Sequence, residues 1–407
     1  MGNAKRTTRD GWIPRPDTDE DFVANPVELF FDLAFVIAFA QLVSHLVHHP
    51  DVEGVLEAAL IFWMMWLPWT QFTWAANAVS AHSRQVQVVM LLGTVLSVPM
   101  AASVQSALGG SGLLFTGSLS AILALGLFLI VSGHPTGSPE WRAAVNYSWP
   151  NVVAMGFFVA GAAFDAQPTR VTVWLIGMAI IAVSTIKAGN GEWVVRAGHF
   201  AERHGLILII ALGEVIVAIA LPVLNALGED ESLPAETTGA LILAGLFAGL
   251  LWWSYFDRPQ KVFEHRMEEL PPGPTARFAR DVYTYLHALI VSGVIMVAAA
   301  LEEITLHPTD ELYFEFRMIM LVGLLLFFGA VELGALRAYH VFPPERAAAM
   351  VAVGVVLFAG GSIDGIWLLA IIDAIIIVAL AAESLRLDRP EDTARDTEAA
   401  RAEQTAD

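Results

Sequence analysis

The sequence predicts an all-α, polytopic membrane protein of about twelve transmembrane helices, arranged as a 6+6 tandem pseudo-repeat with both termini cytoplasmic. Three observations carry this. Of its 407 residues 56% are hydrophobic and only 15% charged, where soluble proteins carry about a quarter charged, so polar surface is too scarce to cover a globule in water. The apolar residues gather in continuous runs of the length that crosses a bilayer core. Twenty of the 22 Lys and Arg residues fall in the N-terminal segment, every second connection and the C-terminal tail. By the positive-inside bias that side is cytoplasmic.

The runs lie near 26–47, 55–76, 86–107, 112–132, 150–166, 171–188, 204–226, 237–256, 282–301, 312–335, 346–362 and 365–384. Each is continuous and rich in Ala, Leu, Gly and Val rather than alternating, and helix is then the form that satisfies the backbone in lipid. Residues 1–25 form a polar cytoplasmic segment without the apolar core of a signal peptide, so the first span directs insertion. The second span is rich in Trp (Trp63, Trp66, Trp69, Trp74), and the fifth and eleventh are short. Of the two remaining basic residues, Arg170 lies in an outer connection and Arg317 inside the tenth span. The tail, 386–407, is acidic and Ala-rich with no apolar face, which predicts disorder.

Landmarks recur in order along the chain. Arg84 and "SVPMAAS" (97–103) sit opposite Arg280 and "GVIMVAA" (293–299) at an offset of 196. "VAGAAFD", ending at Asp165, sits opposite "FAGGSID", ending at Asp364, and Glu28 opposite Glu202. These predict a first repeat over 26–190 and a second over 191–385. An even number of spans per repeat places both halves in the membrane the same way up, with their interface as the natural place for a substrate path.

Ionisable groups at membrane depth are expensive and tend to mark function. In the first span Glu28 and Asp32 lie about 40° apart on one helical face, suited to binding a cation or sharing a proton. A cap role for Glu28 and a buried Arg partner for Asp32 are the structural alternatives. Gln41 and His45 point to a different face, so either two interfaces are involved or the helix is irregular. The seventh span opens with Glu202, Arg203 and His204 and carries Glu214 in its interior. Asp257 closes "WWSYFD", and Tyr283 and His287 are four apart on the ninth span, spaced for a proton relay or a hydrogen-bonded pair. Arg317, Glu332 and Asp373 are candidates for interhelical salt bridges.

His45 and His49 have the spacing of a zinc pair but no third ligand, so no metal site is predicted. The absence of Cys excludes disulfides, thiolate metal sites and cysteine nucleophiles. A net charge of −19 argues against a nucleic-acid partner. No phosphate loop, dinucleotide turn, nucleophile elbow or zinc-protease motif is present. The expectation is a protein that is not an enzyme and holds no cofactor. Its partners are membrane lipids and a cation or small solute, and a homo-oligomer is left open.

"ELFFDLAFVIAFAQLVSHL" (28–46), "WMMWLPWTQFTWAAN" (63–77), "ERHGLILIIALGEVIVAIA" (202–220), "WWSYFD" and "YTYLHALIVSGVIMVAAALE" (283–302) together resemble the bacterial low temperature requirement A family, in order over roughly 22–385. The resemblance implies a multi-pass plasma-membrane protein without an established reaction, and carries family motifs onto Glu28, Asp32, Gln41, His45, Glu202, Arg203, Glu214, Asp257 and His287. His204 stands where that motif more commonly has Phe. The architecture is also similar to lysosomal two-repeat potassium channels, but Phe31-Asp32 lacks their intervening Ser and the seventh span has neither residue, so no gate residue carries over. The leading expectation is a transporter or channel whose path is lined by Glu28, Asp32, Glu214 and His287. The alternatives are a non-transporting scaffold or sensor linked to low-temperature growth, and an intramembrane lipid-acting enzyme with Glu214 and His287 as acid and base.

Overall fold

The computed structural model describes residues 13, 24–188, 193, 195–227 and 232–387. The polar N-terminal segment and the acidic tail read from the sequence lie, apart from Ile13, Ala24, Asn25, Arg386 and Leu387, outside the described residues. Among the described residues the chain is helical, with one isolated antiparallel bridge between Glu311 and Asp364. The first part comprises α1 (Pro26–His48), α2 (Val52–Ala76), α3 (Arg84–Ala102), α4 (Gly112–Ser132), α5 (Pro139–Ala162) and α6 (Gln167–Ala188). The second comprises α7 (Ala197–Ala226), α8 (Ala235–Phe256), α9 (Pro259–Glu269), α10 (Pro272–Phe278), α11 (His287–Leu306), α12 (Phe314–Tyr339), α13 (Pro344–Ala359) and α14 (Gly365–Leu387). A π-helical stretch, Ala279–Leu286, joins α10 to α11 as one rod.

Each apolar run read from the sequence falls on one of these helices, and α9 and α10 are additions in the connection before the ninth run. Among the described residues ten helical rods are long and apolar enough to cross a membrane. α5 and α13 do not belong to that set, for different reasons. α5 reaches 24 residues only by including the polar turns 139–149. α13 is 16 residues long, short of the roughly twenty that span a bilayer core.

Local sequence sets the helix starts. Asn25 accepts the Val27 N–H, and the Glu28 carboxylate accepts the Asn25 N–H at 3.0 Å, closing a capping box ahead of Pro26. Asp51, Ser83 and Ser138 cap α2, α3 and α5 by accepting the Gly54, Val86 and Trp141 N–H groups. Small residues then set the closest helix contacts, as expected where lipid supplies no hydrophobic drive between helices. A Cβ on Gly293 would meet the Gly323 carbonyl oxygen at 2.5 Å, so α11 and α12 touch backbone to backbone.

α1 packs on α3, α3 on α4, α4 on α5 and α5 on α6. Along the second part, α7 packs on α11, α11 on α12, α12 on α13 and α13 on α14. The two parts meet where α1 contacts α7 and α11 and α2 contacts α11. This seam positions the site described next.

Candidate functional site

The seam buries charge. Glu28, Asp32 and Arg203 are each 0% exposed. Arg203 Nη2 donates to Asp32 Oδ1 at 2.7 Å, and its Nη1 stands 3.6 Å from Glu28 Oε1. Trp69 Nε1 donates to the same Asp32 Oδ1 at 2.8 Å. His199 lies one turn before Arg203 on α7, and its Nε2–H donates to Glu28 Oε2 at 3.0 Å. Glu28 Oε1, Asp32 Oδ2, His199 Nδ1 and Arg203 Nε are buried without a hydrogen-bond partner. Glu28 is therefore both a helix cap and half of a buried ion pair, and Asp32 has the buried Arg partner.

Charge bookkeeping decides what this centre can do. Ionised, the two carboxylates outnumber the one permanent cation, Arg203, and an uncompensated charge in a dry interior costs several kcal/mol. One proton removes the imbalance. The Nε2–H of His199 is engaged, so its free Nδ1 is a place for that proton, and the unpartnered carboxylate oxygens are others.

A ring cluster adjoins the centre toward α8 and α11. His204 stacks edge-on against Trp69, with ring centroids 4.9 Å apart, and stands 5.0 Å from Tyr283 and 5.1 Å from His287. Tyr283 lies parallel to His287 at 4.9 Å. The π-helical turn fixes His287: its Nδ1 lies 2.9 Å from the Val282 carbonyl, which also accepts its backbone N–H. A carbonyl only accepts, so Nδ1 carries the proton and Nε2 accepts the Tyr255 hydroxyl at 2.6 Å. His204 Nδ1 likewise donates to the Phe200 carbonyl at 2.7 Å. That leaves two groups of the cluster, His204 Nε2 and the Tyr283 hydroxyl, buried without hydrogen-bond partners. Thr284, in the same turn, takes the Trp66 indole N–H on its carbonyl and the Trp74 indole N–H on its hydroxyl, tying the π stretch to α2. π-turns of this kind recur at functional sites.

α9 covers the cluster from the side of the α8–α10 connection. Phe263 is fully buried, 6.3 Å from both the Tyr283 and His287 rings, and fits against Gly334, where a Cβ would stand 2.5 Å from its ring.

Of the residues singled out from the sequence, Glu28, Asp32, Arg203, Tyr283 and His287 thus converge on the seam. Glu202 lies beside them, half-buried, accepting the Ala24 N–H at 2.7 Å. The others lie elsewhere. Gln41 is half-buried nine residues beyond Asp32, about 13 Å along the helix. His45 faces Glu57 of α2 at 3.4 Å, and Glu57 also takes a hydrogen bond from Gln167. The His45 and His49 rings are 5.1 Å apart; among the described residues no group of three or more His, Cys, Asp or Glu could hold a metal ion. Glu214 is 3% exposed and eleven residues, about 16 Å, beyond Arg203. Asp257 lines a groove at the end of α8, 3.3 Å from Arg258. Arg317 bonds the Leu357 and Phe358 carbonyls at the end of α13 instead of a carboxylate, and both Asp373 oxygens are buried without partners.

Sequence reading missed His199, Trp69 and Tyr255 as members of this centre. His199 was legible: its spacing of four from Arg203 places it on the same helical face. Nothing local distinguishes Trp69 from its Trp neighbours, or Tyr255 from an interfacial aromatic.

The model of the bacterial low temperature requirement A protein matches residues 23–382, which takes in every residue of this seam. The chain belongs to the bacterial low temperature requirement A family. It is also similar to an uncharacterised protein of Rhizobium meliloti (strain 1021), 27% identical over 327 residues, which is 78% of each chain. No solved structure matches it. Membership in this family agrees with a multi-pass membrane protein.

Proposed function

We propose that this family member is a transport protein of the bacterial plasma membrane that moves a proton, or a cation or small solute coupled to one, through the seam. The observation that carries the reading is the buried charge imbalance: two carboxylates against one arginine, with His199 Nδ1 open. A group that must gain a proton to sit comfortably in a dry interior is the elementary part of a proton-coupled carrier. The long apolar stretch between Arg203 and Glu214 argues for a carrier in preference to a standing pore.

The finer topology belongs to the same proposal: twelve spans, α5 and α13 included, in two halves of the same orientation with both termini cytoplasmic. The recurrence of neighbour packing, 1 on 3, 3 on 4, 4 on 5 and 5 on 6, in both parts supports it. The protein acts without enzymatic chemistry, on this reading, and its partners are lipid and the transported species.

Proteoliposomes loaded with a pH-sensitive dye test the proposal under an imposed potential or solute gradient. Wild-type protein moves protons at a rate well above empty vesicles, and Glu28→Gln lowers that rate at least tenfold while the purified protein unfolds at a similar temperature. A folded wild-type protein that carries no flux under any imposed gradient defeats it. The complete burial of Glu28, Asp32 and Arg203 favours one second reading, a non-transporting scaffold in which the charges hold α1 to α7. In that case replacing all three by apolar residues of similar size leaves cold growth intact.

A further inference from the structure

α5 and α6 leave a groove on the membrane-facing side of the first half. It has a volume of about 810 Å³ and is lined by Asn146, Trp149, Pro150, Ile176, Ile180 and Val183. Trp149 is 63% exposed and Val183 51%, so its walls present apolar surface to the bilayer. Pro150 has no N–H, so the Asn146 carbonyl lacks the helical donor it would otherwise receive, and the Asn146 amide is itself exposed. Lys187 lines the rim, and Arg142 stands one turn before Asn146; both are exposed, and neither pairs with a carboxylate among the described residues. Arg280 reaches across from the second half to the Ile186 carbonyl at the end of α6. Arg280 is already paired with Asp281 at 2.6 Å, so the positive charge the rim offers is that of Lys187 and Arg142, in a chain whose net charge is −19.

We infer that this groove is a binding site for an anionic phospholipid of the bilayer, its acyl chains along Trp149, Ile176 and Val183 and its phosphate at Lys187 and Arg142. Basic side chains between helices at the cytoplasmic membrane surface attract anionic headgroups, and the Asn146 carbonyl, which receives no N–H from Pro150, accepts from a hydroxyl on the headgroup. A second copy of the chain is the poorer occupant, because docking through this face would bring two basic rims together. Tyr147 and Ala188 line both the groove and a small pocket of about 40 Å³ on the seam, beside Trp74, Trp193 and Arg280. A lipid bound here lies one side chain away from the seam between the two halves.

The test is native mass spectrometry of the full chain released from nanodiscs of equal phosphatidylglycerol and phosphatidylcholine. Wild-type protein retains phosphatidylglycerol in clear excess over its share of the bilayer. Two basic groups near an anionic surface correspond to a preference of roughly thirty-fold, so Arg142→Gln with Lys187→Gln reduces the excess by about that factor. Both residues are exposed, so the variant folds. Lys261→Gln with Arg277→Gln, basic positions on the second half, leaves the retention unchanged. Equal retention of the two lipids by the wild type, an excess that survives the Arg142/Lys187 variant, or a lipid-free dimer through α5 and α6 each overturns the inference.

Discussion

Arg203 is the residue on which the seam depends. Removing one member of a buried ion pair strands its partners, which costs about 3–5 kcal/mol, and here two carboxylates are stranded together. Arg203→Met is therefore expected to destabilise the purified protein by about that amount in detergent unfolding. Adding Glu28→Gln and Asp32→Asn to it should recover most of the loss, because no uncompensated charge then remains. A single variant as stable as wild type would mean that Arg203 does not hold the two acids. The same comparison separates stability from transport, since the triple variant folds but has nothing left to protonate among the three.

At the scale of elements, the second part carries α9, α10 and the π-helical turn between α8 and α11, and α9 and the π turn both act on the ring cluster. The π turn frees the Val282 carbonyl for His287, which fixes the tautomer that accepts the Tyr255 hydroxyl. α9 seals the cluster with one side chain. Phe263→Ala leaves a cavity under Tyr283 and His287, a change that typically costs 3–5 kcal/mol when a core Phe is removed. The expected result is faster amide hydrogen exchange over 259–286, with α3 and α4 unaffected. Unchanged exchange in that segment would show that α9 is held by its polar ends alone.

The whole molecule is two helical parts joined along α1, α2, α7 and α11, and the orientation proposed for it rests on the distribution of Lys and Arg. The chain has no Cys, so single cysteines report topology without background. Ser232→Cys should react with a membrane-impermeant maleimide in intact cells, and Lys261→Cys only after the membrane is opened. Labelling of both from one side would remove the span between them. Labelling of Lys261→Cys from outside would invert the orientation.

The membrane class, the place of each apolar run and several acid and base positions were legible in the sequence, because run length, helical periodicity and loop charge are local properties. Glu28 with Asp32, and Tyr283 with His287, could be read as same-face pairs for the same reason. The length of α5 was misjudged because its first turns are polar, and polarity there reads as loop unless tertiary contacts show otherwise. Which groups meet was decided only by the tertiary structure. Arg203 reaches Asp32 across 171 residues, and His287 meets Tyr255 only because a π turn rotates it there. Such pairings depend on how each helix is turned about its own axis against its neighbours, and that rotation is set by small-residue contacts such as Gly293 on Gly323 and by the packing around Trp69, which no single segment encodes.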